Sequence, residues 1–330
     1  MANAVKTKIP LVFGAMTFGK PGVEQTRVFN LQDCGAMLDL FQKHGHKEVD
    51  TARVYGGGSS EEYLGELGWQ SRGLVMETKL YPVPGKISHA AADLRAQLHA
   101  SLKALQADKI EMWYLHGPDR KTPYEETLRA VNELHQEGLF ERFGISNYMS
   151  WEVAQMNEIC IRNGWIRPSV FQGVYNAIHR TVEAELFPCL RHYNMSFYAF
   201  NPLAGGYLTS RYHREAPQFE AGSRFDPNTT QGKTYQKRYI NDVMFDALDI
   251  VREATTKHGL TETECALRWL MHHSLLRAEL GDTVIIGASS MKHLEENLLD
   301  SEKGPLPDEV VAALENAWLV AKPKAWNYYH

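Results

Sequence analysis

The chain has 330 residues, 44% of them apolar, with 35 Lys and Arg against 40 Asp and Glu, a net charge of −5. Charges interspersed at that balance exclude a polybasic surface for nucleic acid or membrane, and no window reaches the ~18 apolar residues of a spanning helix. The four cysteines, Cys34, Cys160, Cys189 and Cys265, form no CxxC pair, which points away from zinc or a disulfide framework and toward free thiols in the reducing cytoplasm.

In chain order, short apolar runs alternate with stretches of helical period. A strand is predicted at 11–16 (LVFGAM), followed by a helix at 31–44. The next strand, at 47–52 (KEVDTA), runs through a glycine turn into a helix start near residue 65, and a third strand follows at 74–80. Helix 88–105, strand 110–116, helix 124–138, strand 142–147 and helix 150–164 continue the alternation. Thr122-Pro123 and a Ser150 N-cap open two of these helices, and Gly138 and Gly164 close them. Strand 169–176, helix 182–193, strand 196–202 and strand 282–288 complete the series.

Strands apolar on both faces and separated by helices pair in parallel through right-handed crossovers. Eight such units in a chain of this length predict an α/β protein, a closed (β/α)8 TIM barrel forming one domain over 1–330. The alternative, a doubly wound sheet, would in its dinucleotide-binding form place G-x-G-x-x-G after the first strand, and that fingerprint is absent. The long strand-free interval 203–242 is predicted to be a lid loop after the seventh strand.

Two motifs are decoys. Gly14-Ala-Met-Thr-Phe-Gly19-Lys20 matches most of a phosphate loop, but Pro21 stands where the Mg²⁺-binding hydroxyl is needed. The first strand offers no H-x-H, and His272-His273 falls in a helical run, so no metal is expected.

In a (β/α)8 barrel the strand C-termini face the active site. Here those ends carry Asp50, Lys79 and His116, with Tyr55 on the turn after the second strand. A phenol with a pKa near 10 is a poor acid at neutral pH. A neighbouring ammonium lowers that value, and a buried Asp keeps the ammonium charged. Tyr55 can then protonate a carbonyl oxygen while His116 donates a second hydrogen bond. Gly56, Gly57 and Gly58 let the backbone turn tightly enough to aim the phenol back over the barrel. No side chain supplies hydride, which calls for a nicotinamide cofactor.

The segment D-T-A-R-V-Y-G-G-G-S-S-E-E-Y-L-G (50–65) resembles the signature of the aldo-keto reductase superfamily, whose tetrad is matched by Asp50, Tyr55, Lys79 and His116. The segments W-Y-L-H-G-P-D (113–119), F-G-I-S-N-Y-M-S-W-E-V (143–153), V-E-A-E-L-F-P-C-L-R-H (182–192) and N-P-L-A-G-G-Y-L-T (201–209) resemble its aflatoxin B1 aldehyde reductase branch. The resemblance runs from about residue 10 to the C-terminus. It implies NADPH-dependent reduction of aldehydes and some ketones or dicarbonyls, with Tyr55 as general acid and detoxification as the setting.

By that resemblance Ser146, Asn147 and Gln172 hold the nicotinamide amide, with Met16 and Asp50 also at the cofactor. Asn201, Pro202, Leu203, Gly205, Gly206, Leu208 and Arg211, with Arg224, surround the pyrophosphate. Gly287, Ala288, Ser289, His293, Glu296 and Asn297 meet the adenosine phosphate, where a strand-to-helix turn presents backbone N–H groups. Lys20, Arg224 and Lys292 are candidates for the 2′-phosphate. Substrate contacts fall to Tyr55, His116, Tyr235, Arg238 and His330. The branch usually has an arginine at the last of these, a permanent carboxylate clamp that a mostly neutral histidine does not replace. Tyr63, Trp69, Trp113 and Trp326 are open to a pocket or a packing role. The partner is a small carbonyl compound, and a homodimer is an expected assembly. Two alternatives remain open: a cofactor-binding regulatory subunit resembling potassium-channel β subunits, and a pathway-specific ketone reductase or alcohol dehydrogenase.

Overall fold

In the computed structural model, which describes residues 5–215 and 219–330, eight parallel strands close on themselves in chain order. They are β1 (Leu11–Gly14), β2 (Glu48–Asp50), β3 (Val75–Leu80), β4 (Ile110–Leu115), β5 (Phe140–Ser146), β6 (Val170–Val174), β7 (Ser196–Phe200) and β8 (Thr283–Ile286). Because β1 pairs with both β2 and β8, no edge strand remains. This is the predicted (β/α)8 barrel.

The helices are α1 (Leu31–Lys43), α2 (Ser59–Glu66), α3 (Ala91–Ala104), α4 (Tyr124–Gln136), α5 (Ser150–Asn163), α6 (Leu186–His192), α7 (Thr230–Tyr239), α8 (Asp242–His258), α9 (Glu262–His272), α10 (Met291–Ser301) and α11 (Asp308–Ala321). Outward-facing strand residues such as Phe13, Val49, Met76, Leu115 and Phe171 share a core with these helices. A smaller apolar set, Val12, Met112, Tyr114, Val170, Tyr198 and Ile285, fills the barrel itself. Here the sequence reading needs correction, because the strands are not apolar on both faces. Glu48, Asp50, Glu77, Lys79 and Arg142 occupy the face opposite to the helix-packed residues of β2, β3 and β5.

Gly138 and Gly164 follow α4 and α5 in the left-handed conformation, at φ 79° and 67°. Ser150 is the first helical residue rather than the cap. Met149 precedes it, and its N–H donates to Glu152 Oε2 at 2.7 Å, so the carboxylate at the third helical position reaches back to the cap. The helix predicted at 182–193 begins only at Leu186, since Pro188 has no N–H to donate and fits only the first turn.

The interval 203–242 is not a bare loop. A short turn of 3₁₀ helix spans Ala204–Gly206, and α7 occupies its second half; positions 216–218 lie outside the described residues. Rings of Tyr207, Tyr212, Phe225, Tyr235 and Tyr239 pack together, with centroids 4.6 Å apart for Tyr212–Phe225 and 5.2 Å for Tyr207–Tyr239. Tyr239 also meets Trp326 edge-on at 4.9 Å. Aromatic pairs of this kind contribute about 0.5–1.5 kcal/mol each beyond their buried area, so the segment is tied down as a wall.

Candidate active site

Tyr55 is positioned by the turn that follows β2. Gly56, Gly57 and Gly58 have φ values of 56°, 62° and 98°, a region that costs other L-residues roughly 1–2 kcal/mol each. A side chain on Gly58 would also collide with the Arg53 guanidinium. Arg53 pairs with the buried Glu61 in the first turn of α2, and Glu61 Oε1 accepts from Thr78 Oγ1 at 2.6 Å. The turn is thus fastened to α2 and, through it, to β3.

Beneath the phenol, Lys79 Nζ lies 2.6 Å from both oxygens of Asp50 and donates to Thr51 O at 2.8 Å. Both side chains are buried. Gln172 Nε2 adds a donor to Asp50 Oδ2 at 2.8 Å. Lys79 Nζ sits 5.0 Å from the Tyr55 ring centroid, and the His116 ring meets Tyr55 edge-on at 5.8 Å. The four groups taken from strand ends and the glycine turn therefore come together.

Their electrostatics differ from the sequence expectation in one respect. Burial raises the Tyr55 phenol above its ordinary value; Lys79 opposes the shift without reversing it. Burial would lower Lys79, but Asp50, with Tyr55 and Glu77, outweighs it and the ammonium is held charged. Burial, with Lys79 and His330 nearby, pushes His116 well below the usual imidazole range, so it is neutral. Its Nδ1 has no hydrogen-bond partner. The result is a protonated phenol above a fixed cation, beside a neutral imidazole that can donate one hydrogen bond.

These groups form one end of a cavity of about 1630 Å³. The cavity runs past Met16, Asn147, Gln172 and the segment Asn201, Pro202, Leu203, Gly205, Gly206 and Arg211 to Gly287, Ala288, Ser289, His293, Glu296 and Asn297. Asn147 and Asn201 end β5 and β7 at φ 66°, a left-handed conformation that asparagine tolerates better than most residues. Arg224, Tyr235, Arg238, Trp326 and His330 complete the walls. Arg238 is held over the Trp326 ring at 4.7 Å, and Arg224 donates to Tyr235 Oη at 3.2 Å. Among the described residues neither arginine forms an ion pair. The buried Nδ2 of Asn201 also lacks a partner.

Several candidates fall elsewhere. Ser146 and Leu208 are buried behind the cavity wall, Ser146 accepting a hydrogen bond from Asn147 Nδ2. Lys20 pairs with Glu62 at 2.7 Å and Lys292 with Glu296 at 3.7 Å, and neither lines the cavity. Trp113 and Trp69 pack in the core, and Tyr63 Oη donates to Phe29 O. Gln172 is committed to Asp50 by its amide nitrogen, leaving its oxygen for other contacts. Sequence reasoning missed Tyr81, whose hydroxyl lies 2.8 Å from His330 Nε2. It stands two residues after Lys79, on the same side of the extended chain, so the signal was present. It also missed Arg27, bridged by Glu220 (2.5 Å) to Arg211 (3.7 Å) at the far end of the cavity.

A closed (β/α)8 barrel that gathers an Asp–Lys pair, a tyrosine and a neutral histidine at the C-terminal ends of its strands has the plan of a carbonyl oxidoreductase. The profile of the Aldo/keto reductase family matches residues 10–319; the chain belongs to that family and is an oxidoreductase. It is 53% identical to an aldo-keto reductase of Pseudocercospora fijiensis over 89% of this chain and 100% of that one. It is 49% identical to the aldo-keto reductase pigE of Monascus ruber over 98% of each. Human aflatoxin B1 aldehyde reductase member 2 is 42% identical over 100% of this chain and 92% of its own.

Proposed function

We propose that the protein is an NADPH-dependent reductase of aldehydes, and of some ketones and dicarbonyls, in which Tyr55 is the general acid. The observation that carries this reading is the meeting of Tyr55, the buried Lys79–Asp50 pair and neutral His116 at one end of the cavity. When bound in the cavity, NADPH would supply the hydride for the carbonyl carbon. His116 orients the carbonyl by a hydrogen bond to its oxygen. As negative charge develops there, Tyr55 gives up its phenolic proton, and the Lys79 ammonium stabilises the phenolate left behind. Asp50 keeps Lys79 charged and fixed.

The rest of the cavity supports the cofactor. The unpartnered Asn201 Nδ2 is a free donor on its wall, and the N-terminus of α10 begins beside Ser289. Arg27 and Arg211, which share the single carboxylate of Glu220, leave that end a net positive charge for a 2′-phosphate, which favours NADPH over NADH. The unpaired Arg238, with Arg224, suits an aldehyde bearing an acidic group. Relatives named aflatoxin B1 aldehyde reductases make aldehydes the first substrate class to test. This reading takes residues 1–330 as one barrel domain acting in the cytoplasm; among the described residues no helix is long and apolar enough to cross a membrane.

The test is NADPH oxidation with 4-nitrobenzaldehyde, wild type beside Tyr55→Phe, with NADPH affinity read by fluorescence. The expected result is loss of turnover with cofactor affinity retained. Equal loss of cofactor binding would remove Tyr55 from the role of acid. A wild type that binds NADPH tightly but reduces no aldehyde or ketone would favour a regulatory subunit.

A further inference from the structure

Barrel interiors of this architecture are ordinarily filled with branched aliphatic side chains. This one holds a file of ionisable groups. Asp50 is register-paired with Glu77, and Lys79 with Tyr114. Tyr114 fits because its neighbour across the sheet is Gly144, where any side chain would collide with the phenol ring. Tyr114 Oη donates to Glu77 Oε2 at 3.0 Å, and Glu77 Oε1 has no partner. Lower in the barrel, Tyr198 Oη donates to Glu48 Oε1 at 3.0 Å, and Arg142 Nη1 lies 3.9 Å from the same oxygen. Glu48 and Arg142 are part-exposed at the mouth opposite the cavity.

The charges in this file do not balance. Three carboxylates, Glu48, Asp50 and Glu77, share the interior with two cations, Lys79 and Arg142. Lys79 is taken by both oxygens of Asp50, and Arg142 faces Glu48. Glu77 is fully buried and, among the described residues, forms no ion pair. An isolated carboxylate in such a place takes up a proton rather than bear the cost of desolvation. Burial, followed by the neighbouring Glu48 and Asp50, accordingly pushes the Glu77 carboxyl well above the usual carboxylate range, and Lys79 only partly offsets them.

We propose that Glu77 is the proton carrier that restores Tyr55 after each reduction, and that the proton enters through the floor of the barrel rather than through the cavity. The inference rests on the reading of Tyr55 as the acid. Substrate and cofactor would cover the cavity side of Tyr55, whereas Asp50 and its register partner Glu77, with Glu48 two residues before Asp50 on the same face of β2, lead toward the opposite mouth. In each cycle the Tyr55 O–H bond breaks as the new O–H bond of the alcohol forms. Lys79 Nζ then passes a proton to the phenolate. Asp50, in contact with Nζ through both oxygens, hands on to Lys79 the proton it receives from Glu77. Glu48 returns one to Glu77 from water at the floor. The net change is one proton drawn from bulk solvent per alcohol formed, and Glu77 ends as it began.

The test is Glu77→Gln, which keeps shape and neutrality but cannot give up and regain a proton. Stopped-flow traces should show a first turnover at the wild-type rate. Steady-state turnover should fall about 10²-fold or more, within the range of a missing proton-transfer group, and should acquire an enlarged solvent isotope effect in D₂O. Glu77→Asp, which keeps the acid, should restore part of the steady-state rate. A purely structural role would lower both phases together, and that result would overturn the proposal, as would unchanged kinetics in both phases. Should Glu77→Gln fail to fold, Glu48→Gln removes the part-exposed acid that returns the proton from the floor and should show the same split. Infrared spectra of wild type minus variant at neutral pH should contain the carbonyl band of a protonated carboxylic acid. That band is independent of turnover, so its absence would overturn the role of Glu77 even with Tyr55 secure as the acid.

Discussion

Replacing Lys79 by Met separates the structural and chemical parts of the Asp50–Lys79 pair. The ammonium is fully buried with its nitrogen 2.6 Å from both carboxylate oxygens. At an effective dielectric near 20 the gross attraction at that distance is about 6 kcal/mol, and both ions have been taken out of water to make it. The attraction is therefore no guide to net stability, but removing one partner strands the other, which typically costs about 3–5 kcal/mol. Gln172 still donates to Asp50, which places the Lys79→Met loss at the lower end, about 3 kcal/mol. Adding Asp50→Asn should recover most of that loss, since no buried charge then lacks a partner. Activity should not return in the double variant, because the phenolate of Tyr55 would have no cation beside it. A loss of about 10²- to 10⁴-fold in turnover is expected for both variants. Urea unfolding at constant m gives the stability differences, and NADPH oxidation gives turnover. A Lys79→Met protein as stable as wild type, or a double variant that regains turnover, would refute the reasoning.

Acid should destabilise the fold through histidines that stay neutral inside it. Burial pushes His46, His89 and His179 down to about 4, while in the unfolded chain each takes a proton near pH 6.5. Their stabilising contribution is complete above pH 6.5 and lost as pH falls toward 4, about 2 kcal/mol each by pH 5; His89→Gln should shrink the difference in unfolding free energy between pH 7 and pH 5 by that amount, and an unchanged difference would contradict the assignment. Gly58→Ala should cost about 2 kcal/mol or more, from its φ of 98° and the collision with Arg53. Turnover should fall with little change in NADPH affinity, because the turn aims Tyr55 and the cofactor wall is built elsewhere; a Gly58→Ala variant with wild-type unfolding and turnover would remove the turn from that role.

Asp50, Lys79 and His116 were legible because a parallel barrel assigns strand ends to one rim, and the three glycines announced a turn that other residues resist. Tyr81 was equally legible, two residues beyond Lys79, and passed unread. Arg27 was not: its partner Glu220 lies 193 positions away, and local pattern carries no trace of such a meeting. Ser146 and Leu208 sit behind the cavity wall for the opposite reason. Their neighbours Asn147 and Thr209 line the cavity, and one position along the chain turns a side chain to the other side of the wall. The polar interior was legible in part: Glu77 and Lys79 stand two apart on the six-residue β3, whereas β2, with only three residues, is too short to display a period of two. Helix α7 has little apolar content, TQGKTYQKRY, and its two buried tyrosines reveal their face only once the aromatic cluster is assembled.

The seam between β1 and β8 has a consequence for how the molecule is made. Val12 pairs with Ile285, and Thr17 Oγ1 donates to Ala288 O at 2.7 Å across 271 positions of sequence. Closing so large a loop carries an entropic cost that nothing repays until the final strand docks, which makes it a slow, late event. A ribosome adding about 5–20 residues per second exposes β1 as an unpaired edge for many seconds before β8 exists. The cavity, lined by Met16 on one side of this seam and by Ser289 on the other, cannot exist before that closure. A nascent or truncated chain therefore lacks the proposed cofactor site, and on that reading the cofactor can act only on closed barrels, as a late selector of finished molecules.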